Sequence, residues 1–200
     1  MAITTYAELK TAVYNWMHRA DLANYVDDII TIGEKWIFRN ARTRDMEEPL
    51  SVSITSGAAA VPADYVSLKN AYIDGTPAQP LSITSASVIF AKYPNRADST
   101  KPLLVAAEGA NFIFGPWGGS SYTIKGTYYK RLTVVSSSAN ALFTKNPDLY
   151  LFAALAETEH FLKNDGRVSL WTAKRDQILA QVNGEDQASR SGDAMRIRAA

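Results

Sequence analysis

Histidine is the side chain best suited to acid–base or metal chemistry near neutral pH, and this chain has two, His18 and His160, on separate helical stretches. A metal site built on His160 would draw on Glu157 or Glu159, but neither spacing reproduces the H-E-x-x-H pattern that puts two imidazoles on one helix face. Both histidines read instead as polar positions near helix ends, where an imidazolium also suits the helix dipole. Serine catalysis has no G-x-S-x-G elbow to start from and would have to recruit one of the same two histidines. Acids such as Asp148 and Glu157 occur on helices, with nothing in the sequence to pair them for general acid–base work. The absence of cysteine excludes disulfides, thiolate zinc sites, iron–sulfur clusters and Cys nucleophiles. No catalytic residue, metal or cofactor is therefore expected, and the chain does not read as an enzyme.

Two binding features remain. The glycine-rich stretch Gly115 to Gly119 lacks both the G-x-G-x-x-G pattern and the Walker Lys-Ser/Thr, and it joins strands instead of opening a helix. It reads as a turn in which Trp117 packs, or alternatively as the place where Trp117 stands exposed as an interface anchor. Lys35, Arg39, Arg42 and Arg44 form a basic run near the end of a helix, where cations offset the dipole. The same run could instead meet phosphate or an acidic protein surface. With 21 basic and 20 acidic residues and a net charge of +1, four clustered cations support only weak, salt-sensitive nucleic-acid binding. A nucleic-acid-binding module using Lys35 to Arg44 is the alternative reading of function.

The elements that must position these residues follow from hydrophobic period. Thr5 followed by Glu8 has the form of a capping box, and Leu9, Ala12, Val13, Trp16 and Met17 continue as one apolar stripe. Asp21 or Asn24 can cap a second helix, with Val26, Ile29, Ile30, Gly33, Trp36 and Ile37 inward, Asp27, Asp28, Glu34 and Lys35 outward, and an end near Arg42 to Arg44. From Pro49 the period falls to two, as Leu50, Val52 and Ile54 alternate with Ser51, Ser53 and Thr55. Ser56-Gly57 makes a turn into a strand at Ala58 to Val61. A strand at Leu68 to Ile73 closes on Asp74-Gly75, a hairpin signal, and Pro77 to Ile83 pairs back. A short helix over 85–93 buries Val88, Ile89 and Tyr93, and residues 94–102 form a polar loop. Strands follow at Leu103 to Ala107, Asn111 to Phe114 and Tyr122 to Leu132.

After a loop at 134–142, Asn146-Pro147 places a capping Asn before Pro at the first helical position. That helix continues towards Leu162 and Lys163 and stops at Asn164-Asp165-Gly166. A last helix from about Val168 to Val182 turns Trp171, Ile178, Leu179 and Val182 inward and ends at Asn183-Gly184. Helices, then strands, then helices indicate α+β. The expected organisation is a helical pair over 1–45, an inserted antiparallel β lobe over 46–138 forming a small barrel or sandwich, and a helical pair over 139–184 packing on the first as a bundle. Residues 185–200 form a tail.

In that tail Met195 and Ile197 alternate with Arg196 and Arg198, behind Arg190. A polar terminus with spaced apolar and cationic side chains suits a peptide that orders on binding. The N-terminus has neither the basic start nor the apolar run of a signal peptide, and no stretch has the length of a membrane span. The sequence thus implies a protein made in the cytoplasm, with no membrane partner.

Tyr6-Ala7-Glu8-Leu9, the Arg-rich end of the second helix running into Met46-Glu47, the turn Pro62-Ala63-Asp64-Tyr65, the strand pair Tyr128-Tyr129 and the helix start Pro147-Asp148-Leu149-Tyr150 occur here in order. In this the chain resembles the head-to-tail adaptor proteins of short-tailed bacteriophages, over nearly all its length up to Gly184. The resemblance implies a structural virion protein, assembled in the host cytoplasm as a ring of twelve copies beneath the portal protein. Such a ring extends the DNA channel and offers an attachment surface to tail nozzle or tail-fibre proteins, with non-specific contact to channel DNA. On that footing Arg190, Met195, Arg196, Ile197 and Arg198 are candidates for portal binding. Lys35, Arg39, Arg42, Arg44 and Trp117 are candidates for contact between subunits or with the channel.

Overall fold

The structure is a computed structural model that describes residues 3–95, 100–117, 122–160 and 166–190. Its chain divides into two compact units, one of Met1–Asp45 with Leu132–Ala200 and one of Met46–Arg131.

The first unit is helical. Helix α1 (Tyr6–Met17) starts on the expected capping box: Thr5 accepts from the Glu8 amide while Glu8 accepts from the Thr5 amide at 2.9 Å. It buries Leu9, Val13 and Met17, and leaves Trp16 46% exposed with its ring edge-on to Phe152 at 5.5 Å. Helix α2 (Val26–Asn40) has no side-chain cap, because a 3₁₀ segment at Ala20–Tyr25 runs straight into it. Asp21, an expected cap, instead holds Arg19 at 2.7 Å. The stripe Val26, Ile29, Ile30, Gly33 and Ile37 is buried as expected, but Glu34, expected to face out, is buried too.

Helix α5 (Pro147–Ala156) packs against α1, α2 and the last helix α6 (Gly166–Arg190). Where α2 crosses α5 the chain needs glycine: a Cβ on Gly33 would lie 2.8 Å from the backbone of Ala153 and Ala154. Helix α4 (Ala141–Lys145) stands where a loop was expected, started by Asn140, whose side chain accepts from Phe143 N at 2.8 Å. Asn146, the expected cap of α5, makes no side-chain cap bond, although Pro147 does take the first turn. α5 gives way to a 3₁₀ turn at Glu157–His160, while Leu162 and Lys163 lie outside the described residues. α6 runs past Asn183-Gly184 to Arg190, so the expected helix end is corrected by about two turns.

The second unit holds eight strands among the described residues, in two four-stranded sheets ordered β1-β8-β3-β4 and β2-β7-β6-β5. The strands are β1 (Glu47–Ser53), β2 (Ala58–Ala60), β3 (Tyr65–Ile73), β4 (Gln79–Pro80), β5 (Ser82–Ile83), β6 (Leu104–Glu108), β7 (Asn111–Gly115) and β8 (Thr123–Lys130). Leu50, Ile73 and Ile124 of the first sheet share one core with Val105, Phe112 and Phe114 of the second. Of the expected barrel or sandwich, the closed barrel is not formed, and the pairing is not all antiparallel, since β5 runs parallel to β6. The cause is visible at Leu81. Only Gln79 and Pro80 pair back on β3, Leu81 N bonds Ala71 O, and Ser82 N bonds Leu103 O, just before β6 of the other sheet. Burying Leu81 between the two carries the chain across.

Thr55 and Ala58 close a tight turn in which Ser56 and Gly57 both take positive φ, 52° and 76°, as a primed two-residue hairpin requires. Asp74-Gly75 is not such a turn, because Ile73 pairs with Gln79 and five residues intervene. Helix α3 (Ala86–Lys92) buries Ile89, while Val88, expected inward, is 46% exposed. β1 is an outer strand. Ile54 N reaches Tyr122 O at 2.9 Å, so the alternate positions Glu47, Pro49, Ser51 and Ser53 turn their backbone outward. Pro49 has no N–H to offer there, which blunts the edge.

Candidate functional site

The exit from α2 gathers several polar side chains on backbone carbonyls. A helix leaves its last four carbonyls without intrahelical donors; here the Ala41 amide takes Ile37 O at 2.8 Å, and side chains add donors to carbonyls before and after it. Asn40 Nδ2 donates to Trp36 O at 2.8 Å and Arg39 Nε to Lys35 O at 3.1 Å. One Arg42 nitrogen reaches Ala41 O at 2.6 Å and Phe38 O at 3.3 Å. The Arg42 amide in turn donates to Asn183 Oδ1 at 3.2 Å, tying this exit to α6. Arg42 is thus half-buried and engaged in capping, whereas Lys35, Arg39 and Arg44 remain exposed.

Just beyond, Thr43, Arg44 and Asp45 form one wall of a depression of about 150 Å³ that Lys145 and Glu185 also line. Lys145 Nζ lies 2.5 Å from Asp45 Oδ1. The Thr43 hydroxyl is buried and has no hydrogen-bond partner among the described residues. Lys145 and Asn183 have no signal in the local sequence, because their partners lie a hundred and more positions away. On the other side of α2, the Arg175 guanidinium sits 3.7 Å from the Trp36 ring centre and pairs with Glu157 at 3.5 Å and Asp176 at 2.9 Å.

Three lysines of the β unit are paired with acids of the same unit. Lys69 pairs with Glu47 at 2.8 Å, Lys125 with Asp74 at 2.7 Å and Lys130 with Glu48 at 2.6 Å. Tyr128 donates to Asp64 at 3.0 Å, and burial with that carboxylate pushes its phenol up to about 12.

The residues singled out for chemistry are not brought together. His18 is the C-cap of α1, exposed and left-handed at φ 53°. The side chains of Glu159 and His160 lie outside the described ones. Glu157 belongs to Arg175, and Asp148 Oδ1 accepts its neighbour Leu149 N at 3.0 Å. Among the described residues no three His, Asp or Glu side chains are grouped to hold a metal ion. Trp117 is 5% exposed, its indole N–H donates to Tyr93 O at 3.0 Å, and its ring packs with Phe90, Ile89 and Ile113. An exposed interface anchor is therefore not what this ring is; the packing reading is the one observed. Arg190 ends α6 with its side chain outside the described ones, and Met195, Arg196, Ile197 and Arg198 lie outside the described residues.

Fold and surface together define an α+β protein whose most developed feature is a charged helical end. The chain belongs to the SU10 adaptor protein family, a family of phage head-to-tail adaptors, whose model matches residues 4–198. It is accordingly a structural component of the virion that interacts with other head and tail proteins of the phage. No curated protein matches the chain. No helix among the described residues is long and apolar enough to cross a membrane.

Proposed function

We propose that this chain forms a ring of twelve beneath the portal protein, extends the DNA channel and gives tail nozzle or tail-fibre proteins their attachment surface. The observation that carries the reading is the extent of the family match, which runs through both units and on to residue 198. The segment beyond α6, with Met195 and Ile197 as apolar anchors and Arg196 and Arg198 as charge contacts, binds the portal, and Arg190 opens it. Each such contact is weak alone; repeated around a ring it gains from high local concentration. Lys35, Arg39 and Arg44, the exposed members of the basic run, meet a neighbouring subunit or the channel.

Since α6 continues to Arg190, the truncation that leaves every described helix whole removes residues 191–200. Electron microscopy of portal rings mixed with the full chain and with this truncation is the test. The full chain decorates the portal; the truncated chain stays folded and leaves it bare. Equal decoration by both overturns the assignment of the tail.

A further inference from the structure

Opposite its buried stripe, α2 presents Asp28, Ile32, Lys35 and Arg39 at spacings of four, three and four residues, which places them on one line along a helix. All four are exposed, Ile32 to 43%, and Tyr25 (46%) extends the line by three residues. Asp27, by contrast, turns towards α1, where Lys10 lies at 2.8 Å and Tyr6 at 2.6 Å. Among the described residues Asp28, Lys35 and Arg39 have no ion-pair partner. Lys35 and Arg39 stand at i and i+4, a like-charge spacing that destabilises a helix on its own. The dipole acts over the first and last turns; it accounts for Asp28 and Arg39 but not for Lys35, which precedes the last turn. An acidic group facing Lys35 and Arg39 would account for the two cations, and a cation facing Asp28 for the acid.

The stripe contains the acid that fits. At about 1.5 Å per residue, Asp28 lies about 6 Å before Ile32 and Lys35 about 4.5 Å after it. If a second copy of the helix is laid antiparallel with Ile32 on Ile32, each Asp28 comes opposite the other's Lys35. Arg39 then falls opposite Tyr25, where a guanidinium can lie over an aromatic ring. We propose that the outward stripe of α2 docks on the same stripe of a second copy, antiparallel, through two Asp28–Lys35 pairs about an Ile32 contact. An isologous contact closes at two copies, so it describes the free chain outside the ring. The proposal goes beyond the ring contact given to Lys35 and Arg39, since it concerns the chain before it enters a ring, and portal binding by the tail can fail without it.

The test is sedimentation equilibrium on the full chain with Asp28→Lys and Lys35→Asp, each checked for an unchanged melting transition. The wild-type chain forms a dimer that weakens as salt rises. Each variant alone sets like charges opposite each other and loses the dimer, with a dissociation constant raised about tenfold or more. An equimolar mixture restores both attractive pairs and recovers dimerisation. A wild-type chain that stays monomeric at its highest soluble concentration overturns the proposal. So do variants that associate as the wild type does, or a mixture that stays dissociated. Removing residues 191–200 leaves the dimer unchanged, which separates this result from the portal test.

Discussion

Glu34 Oε1 accepts a hydrogen bond of 2.8 Å from the backbone N–H of Val135, and Glu34 is only 4% exposed. Burial raises its carboxyl above the usual carboxylate range, against the opposing pull of the Val135 amide. A carboxyl whose folded pKa is raised contributes stability below its unfolded pKa and loses it as pH rises through the folded value. Glu34→Gln is neutral throughout and keeps an acceptor oxygen for Val135. Urea unfolding should therefore show the variant gaining on the wild type as pH rises above the unfolded carboxyl value of about 4 and through the raised folded value. A difference that does not move with pH counts against this. Glu34→Ala leaves the Val135 amide buried without a partner and is expected to cost about 2 kcal/mol.

Gly33 and Gly184 make opposite predictions for the same substitution. At Gly33 a Cβ would press into the α5 backbone at 2.8 Å, whereas at Gly184, also helical, nothing lies within 4 Å. Alanine improves helix propensity by about 1 kcal/mol at either site, but overpacking against main chain at Gly33 cannot be relieved by a rotamer change. Gly33→Ala should lose about 3 kcal/mol and Gly184→Ala should gain up to about 1 kcal/mol, both read from urea midpoints. A tolerated alanine at Gly33 would mean that the two helices separate easily.

Asn140 and Asn146 divide differently from what their neighbours suggest. Asn146 precedes Pro147 and looks like the cap, but Asn140 makes the bonds. Its Oδ1 accepts from Phe143 N at 2.8 Å and from the Tyr150 hydroxyl at 3.0 Å, while its Nδ2 donates to Thr133 O at 2.8 Å. Asn140→Ala removes a cap and strands buried polar groups, at about 3 kcal/mol; Asn146→Ala should be within about 0.5 kcal/mol of wild type. Thermal melts of the two variants check the order.

These sites mark what the sequence could and could not reveal. The capping box at Thr5, the buried stripe of α2, the alternation along β1 and the long strand β8 were legible because each depends on local period or on a neighbour within a few residues. Glu34 was misplaced because a helix carboxylate grouped with Asp27, Asp28 and Lys35 reads as solvated, and its partner is an amide 101 residues away. The crossing at Leu81 was hidden for a similar reason, since the bond that decides it is made to Leu103, just before β6 of the other sheet. At the charged end of α2, the four cations were visible as a run. Their separation into a half-buried Arg42 and three that remain exposed was not, because it depends on how the chain leaves the helix.

Trp117 supplies the remaining prediction. Its ring fills space above Gly57, where an added Cβ would come within 3.0 Å of it, and its N–H is committed to Tyr93 O at 3.0 Å. Trp117→Phe keeps a ring but gives up the hydrogen bond and part of the contact area, and should lower stability by about 2 kcal/mol. A buried indole with a fixed partner also does not change surroundings when another subunit arrives. Wild-type protein should therefore keep the same Trp117 contribution to fluorescence, obtained as the difference from Trp117→Phe, whether free or assembled on portal rings. A shift of that difference spectrum on assembly would show that the ring leaves its packing and reaches a partner, which the hydrogen bond to Tyr93 argues against.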